Sequence, residues 1–223
     1  MGPVVNESPN RTPGARAYDA RRRRDAAEES RMRVLAASRK LFLAGGYGQT
    51  TVAAIARAAG VSKESVYKGF GGKPGLVRAI HEQSLLGAGG SPAEERSDRA
   101  QATVNDPREL MAQFGRFITE VSPLEAPVFL LIRDAAASGD PDMAALLRDV
   151  EDARYRRMLH NARQVLGRGF LREGVTAEEA ADVMFTCTSA ELYQSLVLKR
   201  GWNAERYGGF IARTLAANLL PGG

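Results

Sequence analysis

Residues 50–70, TTVAAIARAAGVSKESVYKGF, decide the fold of this chain. Their apolar residues recur at helical spacing on both sides of a short turn: Val52, Ile55, Ala56 and Ala59 before it, Val66 and Phe70 after it. Gly60 suits the turn because glycine tolerates positive φ. Thr50 and Ser62 are the hydroxyl residues expected to cap the two short helices. The spacing predicts a helix-turn-helix, in which the second helix enters the major groove of DNA and the first supports it.

Two further helices flank this pair. An amphipathic pattern runs from about Glu29 to Ala44 and ends at Gly45-Gly46. On the other side, Pro74 fits the first turn of a fourth helix, whose apolar face begins at Leu76. Because helices this short are unstable alone in water, they are expected to share one core.

The remainder of the chain also shows helical periodicity. The polar, glycine-rich stretch 87–105 is interpreted as a joint between domains. Further helices are predicted over residues 106–121, 123–137, 141–166, 176–199 and 203–220. No strand alternation interrupts these patterns, so the expected fold is all-α with about nine helices.

The charge is divided unevenly along the 223 residues. The net charge of +5 separates into +9 for residues 1–80 and −4 for residues 81–223, which indicates that the first part meets a polyanion. No apolar run approaches the roughly 20 residues that span a bilayer, and no secretory apolar segment opens the chain. The expectation is a cytoplasmic protein without membrane contact, in which the single Cys187 is a core residue.

Residues 1–27 are interpreted as a flexible basic arm. They contain three prolines and the run Arg21-Arg22-Arg23-Arg24, with almost no apolar periodicity. Two interpretations stay open: a solvated tail, or an arm that adds phosphate or minor-groove contacts beside the DNA-binding domain.

The run around the helix-turn-helix resembles the DNA-binding domain of the tetracycline-repressor (TetR) family. The matching residues, in order, are Arg33 to Ala37, Leu41-Phe42, Gly46-Tyr47, Thr50 to Val52, Ile55-Ala56, Ala59 to Ser62, Val66-Tyr67, Phe70 and Lys73. The resemblance implies a DNA-binding domain over 28–75 and a C-terminal ligand-binding and dimerisation domain over 76–223. It also implies a homodimeric regulator, most often a repressor, that a small molecule releases from a palindromic operator in double-stranded DNA.

The resemblance also implies roles for individual residues. Phosphate contacts are expected from Thr50, Thr51, Tyr67 and Lys73, and base contacts from Lys63, Glu64, Ser65 and Lys68. This sequence departs from the family pattern at Gly69 and Gly75. Gly69 is expected to fray the recognition helix early, and Gly75 to loosen the fourth helix from the DNA-binding head.

The C-terminal region offers candidate residues for a ligand and for a dimer. The candidate cavity residues are Phe114, Phe117, Phe129, Arg133, Tyr155, Met158, Phe185 and Tyr193, with Arg133 and Tyr155 as polar anchors. At helical spacing such residues are more often plain core. The last two helices are expected to form the homodimer by packing against a second copy of the chain, with packing inside the chain as the alternative. They mix small residues with larger apolar ones: Ala180, Ala181, Ser189, Ala190 and Ser195 with Leu196, Phe210, Ile211 and Leu215.

The sequence also bears on two other functional classes. An enzyme is not expected, because His81 and His160 have no metal or nucleophile grouping around them, and residues 69–74 fit neither nucleotide-loop pattern. No cofactor or metal is therefore predicted. The second alternative is a DNA-binding dimer without a small-molecule effector, whose C-terminal domain only dimerises or recruits a protein.

Overall fold

The structure, a computed structural model, describes residues 13–87 and 92–222, and its regular elements there are all helices. They are α1 (Pro13–Gln49), α2 (Val52–Ala59), α3 (Lys63–Phe70), α4 (Lys73–Ser84), α5 (Ala93–Thr103), α6 (Pro107–Ala137), α7 (Pro141–Gly167), α8 (Ala177–Cys187), α9 (Ala190–Tyr193) and α10 (Ala204–Leu219). A π-helical turn, Gln194–Leu198, continues α9. The all-α prediction is confirmed.

Helices α1 to α4 form a head around a core of their own. Phe42 of α1, Ile55 of α2, Val66 of α3 and Leu76 of α4 are all fully buried. The two short helices α2 and α3 each turn their apolar side toward this core, as the spacing in residues 50–70 predicts.

Helices α5 to α10 form the body, with α6 at its centre. α6 packs most extensively against α10 and also against α7, while α8 packs on α7. At the α6–α10 crossing, a Cβ on Gly208 would lie 2.8 Å from the carbonyl oxygen of Gly115. The absence of side chains at these two glycines is what lets the two backbones approach so closely.

Head and body are tied by three kinds of contact. α4 itself packs against α6 and α7. Arg39 of α1 donates to the carbonyl of Leu124 at 2.7 Å, and Arg78 of α4 forms a 2.7 Å ion pair with Asp149 of α7. The predicted boundary between residues 75 and 76 therefore lies inside one continuous helix, α4, which belongs to both parts.

The prediction of a flexible arm over residues 1–27 is wrong for residues 13–27. These residues form the first part of α1, and residues 21–29 are exposed along it. Helix formation here needs no apolar face, because alanine and arginine have high helix propensity and no proline follows Pro13 within α1. Residues 1–12 lie outside the described part of the chain. The predicted break at Gly46 is present as a non-helical residue with positive φ (74°, ψ 167°), after which a short helical stretch leads to Gln49.

Three helix boundaries in the body differ from prediction. α6 continues through Pro123 and Pro127, although each ring removes a backbone hydrogen bond, because its buried face continues on both sides. The polar stretch interpreted as a joint contains α5, whose buried residues are only Ser97, Ala100 and Gln101, so no apolar period announces it.

The third difference is a break in the predicted helix over 176–199. It ends at Cys187 and restarts at Ala190, where the Ser189 hydroxyl caps α9 by accepting from the backbone N–H of Leu192 at 3.2 Å. The side chain of Arg154 donates to the carbonyl of Phe185 at 2.7 Å and to the hydroxyl of Thr188 at 3.2 Å. These bonds satisfy acceptors that the end of α8 leaves free.

Candidate DNA-binding surface and regulatory cavity

The turn between α2 and α3 has the geometry that the sequence predicts. Gly60 is left-handed (φ 67°, ψ 37°), and its backbone N–H donates back to α2. Ser62 caps α3, since its hydroxyl accepts from the backbone N–H of Ser65 at 3.1 Å. The two helices are thereby fixed in a helix-turn-helix.

The outer face of α3 is polar and exposed. Its exposed residues include all four predicted to face bases: Lys63, Glu64, Ser65 and Lys68. Hydrogen bonds from its own backbone N–H and from the Ser62 side chain lower the pKa of Glu64. Glu64 therefore presents a carboxylate at neutral pH, which can accept from a cytosine amino group but repels phosphate. α3 thus has the side chains needed to read base edges, and their contacts with DNA stay a prediction.

The start of α2 is capped by Thr51, and the prediction of Thr50 as the cap is wrong. The Thr51 hydroxyl accepts from the backbone N–H of Ala54 at 3.1 Å. Thr50 is 6% exposed, and its hydroxyl donates toward the carbonyls of Gly46 (2.8 Å) and Leu41 (3.2 Å). Because that hydroxyl proton is directed into the head, Thr51 is the better placed of the two for a phosphate.

Lys73 and Tyr67 lie at the end of α3 where α4 begins. Tyr67 is 56% exposed, and the Lys73 ammonium lies 4.1 Å from the centre of the Tyr47 ring. Burial and the charges of Asp140 and Asp142 raise the pKa of Tyr47 to about 12, so its ring stays neutral beneath the cation. This cation–π contact holds the Lys73 charge beside the N-terminus of α4, where free backbone N–H groups also favour an anion.

Gly75 joins the recognition helix to α4 more tightly than the sequence suggests. A Cβ at this position would overlap the carbonyl oxygen of Phe70, the last residue of α3. The expectation that Gly75 loosens this joint is therefore wrong, because only glycine allows the approach. Gly69 does not end α3 early either, since the helix continues through Phe70 to a left-handed Gly71.

A cavity of about 200 Å³ lies in the body beneath the head. Its walls come from α4, α5, α6, α7, α8 and α10. Most of the lining is apolar, and its larger members are Leu85, Phe114, Phe117, Ile118, Val121, Met158, Met184 and Leu215. The cavity therefore suits a ligand with an apolar body.

A few ionisable groups interrupt this apolar wall. His81 of α4 and Glu125 of α6 are both buried, with Nε2 and Oε1 3.6 Å apart. Burial lowers the pKa of Arg154 of α7, which also lines the cavity, and the nearby charge of Glu125 opposes that shift. Arg157 is paired with Asp98 at 2.6 Å.

Three of the eight predicted ligand residues line the cavity, namely Phe114, Phe117 and Met158. The other five, Phe129, Arg133, Tyr155, Phe185 and Tyr193, do not line it, so the prediction is wrong for them. Arg133 pairs with Asp134 and Glu191 instead of anchoring a ligand.

The other four residues pack elsewhere: Phe129 and Tyr193 are buried in the core, and Tyr155 and Phe185 are half-buried. Tyr155 meets Phe185 edge to face at 5.7 Å, and Tyr193 meets Tyr207 at 5.4 Å. Phe129 is 3% exposed. The spacing placed Phe129 and Tyr193 on inward faces correctly, but spacing does not say where the packing leaves a cavity.

His81 and Glu125 are the functional candidates that sequence reasoning missed. His81 follows Val77 and Glu125 follows Val121 at helical spacing, so both ionisable side chains stand on apolar faces. An ionisable group on an apolar face is costly to bury. That signal was available in the sequence.

The small residues of the last helices pack inside the chain itself. Ala180 and Ala181 are fully buried, as is Ile211, and Ala190 is 5% exposed. These four residues are therefore not available to a dimer face, and a dimer through other residues of the last two helices stays a prediction. Apolar side chains that stay partly or largely exposed at this end are Leu196, Leu198, Trp202 and Phe210.

Residues 34–80 match the family model for bacterial regulatory proteins of the tetR family. The chain carries the N-terminal domain of the TetR family. This match covers the helix-turn-helix and most of α4, and it supports a DNA-binding transcriptional regulator. No curated protein matches the chain.

Solved structures of transcriptional regulators share this fold over most of the chain. SmeT in complex with triclosan is 21% identical with a TM-score of 0.68, covering 87% of this chain and 93% of that one; SmeT represses the multidrug efflux pump SmeDEF of Stenotrophomonas maltophilia. A regulator from Saccharomonospora viridis in complex with choline is 21% identical (TM-score 0.65), covering 87% and 99%. NalD of Pseudomonas aeruginosa, a repressor of the MexAB-OprM efflux pump, is 18% identical (TM-score 0.68), covering 89% and 100%. At these identities the likeness concerns the fold.

No helix in 13–87 or 92–222 has both the length and the hydropathy to cross a membrane. Within the same ranges, His, Cys, Asp and Glu residues form no group of three that could hold a metal ion.

Proposed function

We propose that this TetR-family chain is a homodimeric repressor that binds a palindromic operator through α3 and leaves it when a small molecule fills the cavity. The observation that carries the proposal is the course of α4. Its first turn holds Gly75 against the end of the recognition helix, and its other end supplies His81 and Leu85 to the cavity wall.

This placement couples the two sites mechanically. A ligand that moves the C-terminal end of α4 also moves its first turn, and the tight contact at Phe70 transmits that movement to α3. Two recognition helices must lie about 34 Å apart to enter successive major grooves. A ligand therefore releases DNA only if it binds more tightly to a conformation of the dimer whose recognition helices have a different spacing.

The neighbouring structures support the ligand part of the proposal. SmeT has been solved with triclosan and the Saccharomonospora regulator with choline, and two of the neighbours are described as repressors. Both ligands are small molecules, and a cavity of about 200 Å³ admits a ligand of that size class.

The first experiment selects bound duplexes from random DNA with the full chain and measures their affinity by fluorescence anisotropy. We expect an inverted repeat that binds at least a hundredfold more tightly than random duplex at the same salt concentration. Equal affinity for both duplexes over a range of salt would contradict sequence-specific binding.

The second experiment separates a ligand-released repressor from the alternative, a DNA-binding dimer without an effector. Compounds that raise the melting temperature of the chain are tested for release of the selected duplex. Ile118→Trp narrows the cavity and should abolish release while keeping operator binding, whereas Leu166→Trp, on an exposed site outside it, should keep both. Binding compounds that never release DNA would favour the alternative.

A further inference from the structure

Glu125 is a buried carboxylate that lacks a good hydrogen-bond donor. Its side chain is 11% exposed, and its one ion-pair contact among the described residues is His81 Nε2 at 3.6 Å. That distance is longer than an ordinary hydrogen bond. His81 Nε2 is itself buried without a hydrogen-bond partner, and both residues line the cavity.

The two guanidinium groups on the same wall are already bonded elsewhere. Arg154 donates to the carbonyl of Phe185 and the hydroxyl of Thr188, and it lies 3.5 Å from the centre of the Phe185 ring. Arg157 donates to the carboxylate of Asp98 and to the backbone carbonyl of Glu94. Their hydrogen bonds therefore go to neighbouring helices, and the Glu125 carboxylate still needs a donor.

The rest of the cavity favours a cation with a small apolar body. Phe114 and Phe117 present aromatic rings, and Met158 and Met184 present polarisable sulfur. An apolar cavity of roughly 150 Å³ accepts benzene. The cavity here, about 200 Å³, is sufficient for a single-ring body with a short polar extension.

The separation of the two polar atoms restricts the head group of the ligand. A nitrogen about 2.9 Å from each of two acceptors needs two N–H bonds. With Nε2 of His81 as an acceptor, primary and secondary ammonium groups meet this requirement. An alcohol or phenol donates once, and a quaternary ammonium does not donate.

We propose that the effector is a small lipophilic primary or secondary amine whose ammonium donates to both Glu125 Oε1 and His81 Nε2. This inference rests on the proposed function, because it names the ligand class of the same cavity. The ammonium supplies the donor that Glu125 lacks and satisfies the unpartnered imidazole nitrogen at the same time.

Calorimetric titration of the full chain with four matched compounds tests the head group. Phenethylamine is the amine, and phenethyltrimethylammonium, phenethyl alcohol and phenylacetate keep the ring while changing the charge or the number of donors. We expect phenethylamine to bind at least about tenfold more tightly than each of the others, as for a charge-assisted hydrogen bond. No measurable binding of phenethylamine, equal binding of the quaternary compound, or tighter binding of phenylacetate would overturn the proposal.

A pair of variants locates the effect. Glu125→Gln should weaken phenethylamine binding at least about tenfold and leave binding of phenethyl alcohol within about twofold. Glu82→Gln makes the same charge change at an exposed position next to His81 on α4, and it should leave both affinities within about twofold. Circular dichroism checks that the Glu125→Gln variant folds. If that variant does not fold, Glu125→Asp is used in its place. Equal weakening by the Glu82 variant would overturn the assignment to Glu125.

Anisotropy with the selected duplex keeps the two hypotheses apart. If phenethylamine binds as expected but leaves DNA bound, the ligand class holds and the release mechanism fails. If phenethyl alcohol or phenylacetate binds more tightly and releases DNA, the release mechanism holds and the ligand class fails.

Discussion

The charge of Lys73 is held in place by an aromatic ring. Its ammonium lies over the Tyr47 ring at 4.1 Å, beside the start of α4. If this cation contacts one phosphate, Lys73→Ala should weaken binding to specific and random duplexes alike. The slope of log affinity against log salt should fall by about one.

Lys63 provides the comparison for Lys73, since it is exposed on the outer face of α3. Lys63→Ala should change base preference at one position of the operator, at about 1–3 kcal/mol. Anisotropy titrations at several salt concentrations measure both quantities. A changed base preference with an unchanged salt slope for Lys73→Ala would contradict this division of roles.

Gly75 gives a second prediction at the residue scale, with Gly69 as its matched control. In Gly75→Ala the new methyl group overlaps the carbonyl oxygen of Phe70. The first turn of α4 must therefore move away from α3. We expect a loss of about 1–3 kcal/mol in unfolding free energy, as for overpacking, together with weaker operator binding.

Gly69→Ala makes the same substitution in a helix with open space around the new methyl group. It should stabilise the chain by about 0.5–1 kcal/mol. Urea unfolding and operator affinity are measured for both variants. Equal effects of the two substitutions would refute the close approach at Gly75.

At the scale of elements, the ion pair between α5 and α7 makes stability depend on pH. The hydrogen bond from Arg157 lowers the pKa of Asp98, with further contributions from the Arg157 and His160 charges. A carboxyl whose pKa is lower in the folded chain adds stability above its unfolded pKa of about 4. That stability disappears as the pH falls through the folded pKa.

Asp98→Asn should therefore lower the unfolding free energy at neutral pH by about 1 kcal/mol or less, because the Asp98 side chain is half exposed. The difference from the wild type should vanish in acid. Asp152→Asn, on the exposed side of α7, is the control and should have no effect at either pH. Chemical unfolding at a series of pH values provides the measurement, and a difference that grows in acid would contradict the sign.

At the scale of the whole molecule, the apolar residues left exposed near the C-terminal end predict where the two copies of the proposed dimer meet. Leu198 is 54% exposed at the end of the π-helical turn. Leu198→Glu should raise the dimer dissociation constant at least about tenfold, because an interface would bury an unpaired carboxylate.

Leu43 is a similarly exposed leucine on α1 of the head, at 41%. Leu43→Glu should leave the dimer dissociation constant unchanged. Sedimentation velocity over a range of protein concentrations measures both variants. An intact dimer for Leu198→Glu would place the interface on another surface.

The sequence predicts the head better than the body, for a physical reason that particular residues illustrate. Gly60, Ser62 and Val66 act locally: a left-handed turn, a cap and one inward side chain fix the helix-turn-helix within a few residues. Pro123 and Pro127 also act locally and favour a break, but burial of the α6 face on both sides overrides them. α5 has almost no apolar pattern and forms because it packs against α6 and α7.

By itself, the sequence determined the helical class, the helix-turn-helix and the polar residues on the outer face of α3. These depend on short-range spacing, on caps and on the charge of the first 80 residues. Only the tertiary structure decided that Gly75 tightens α4 against α3, that Thr50 is directed inward, and that His81 and Glu125 lie side by side in the cavity wall. Each of these depends on how separate parts of the chain come together in space, and periodicity along a helix does not contain that information.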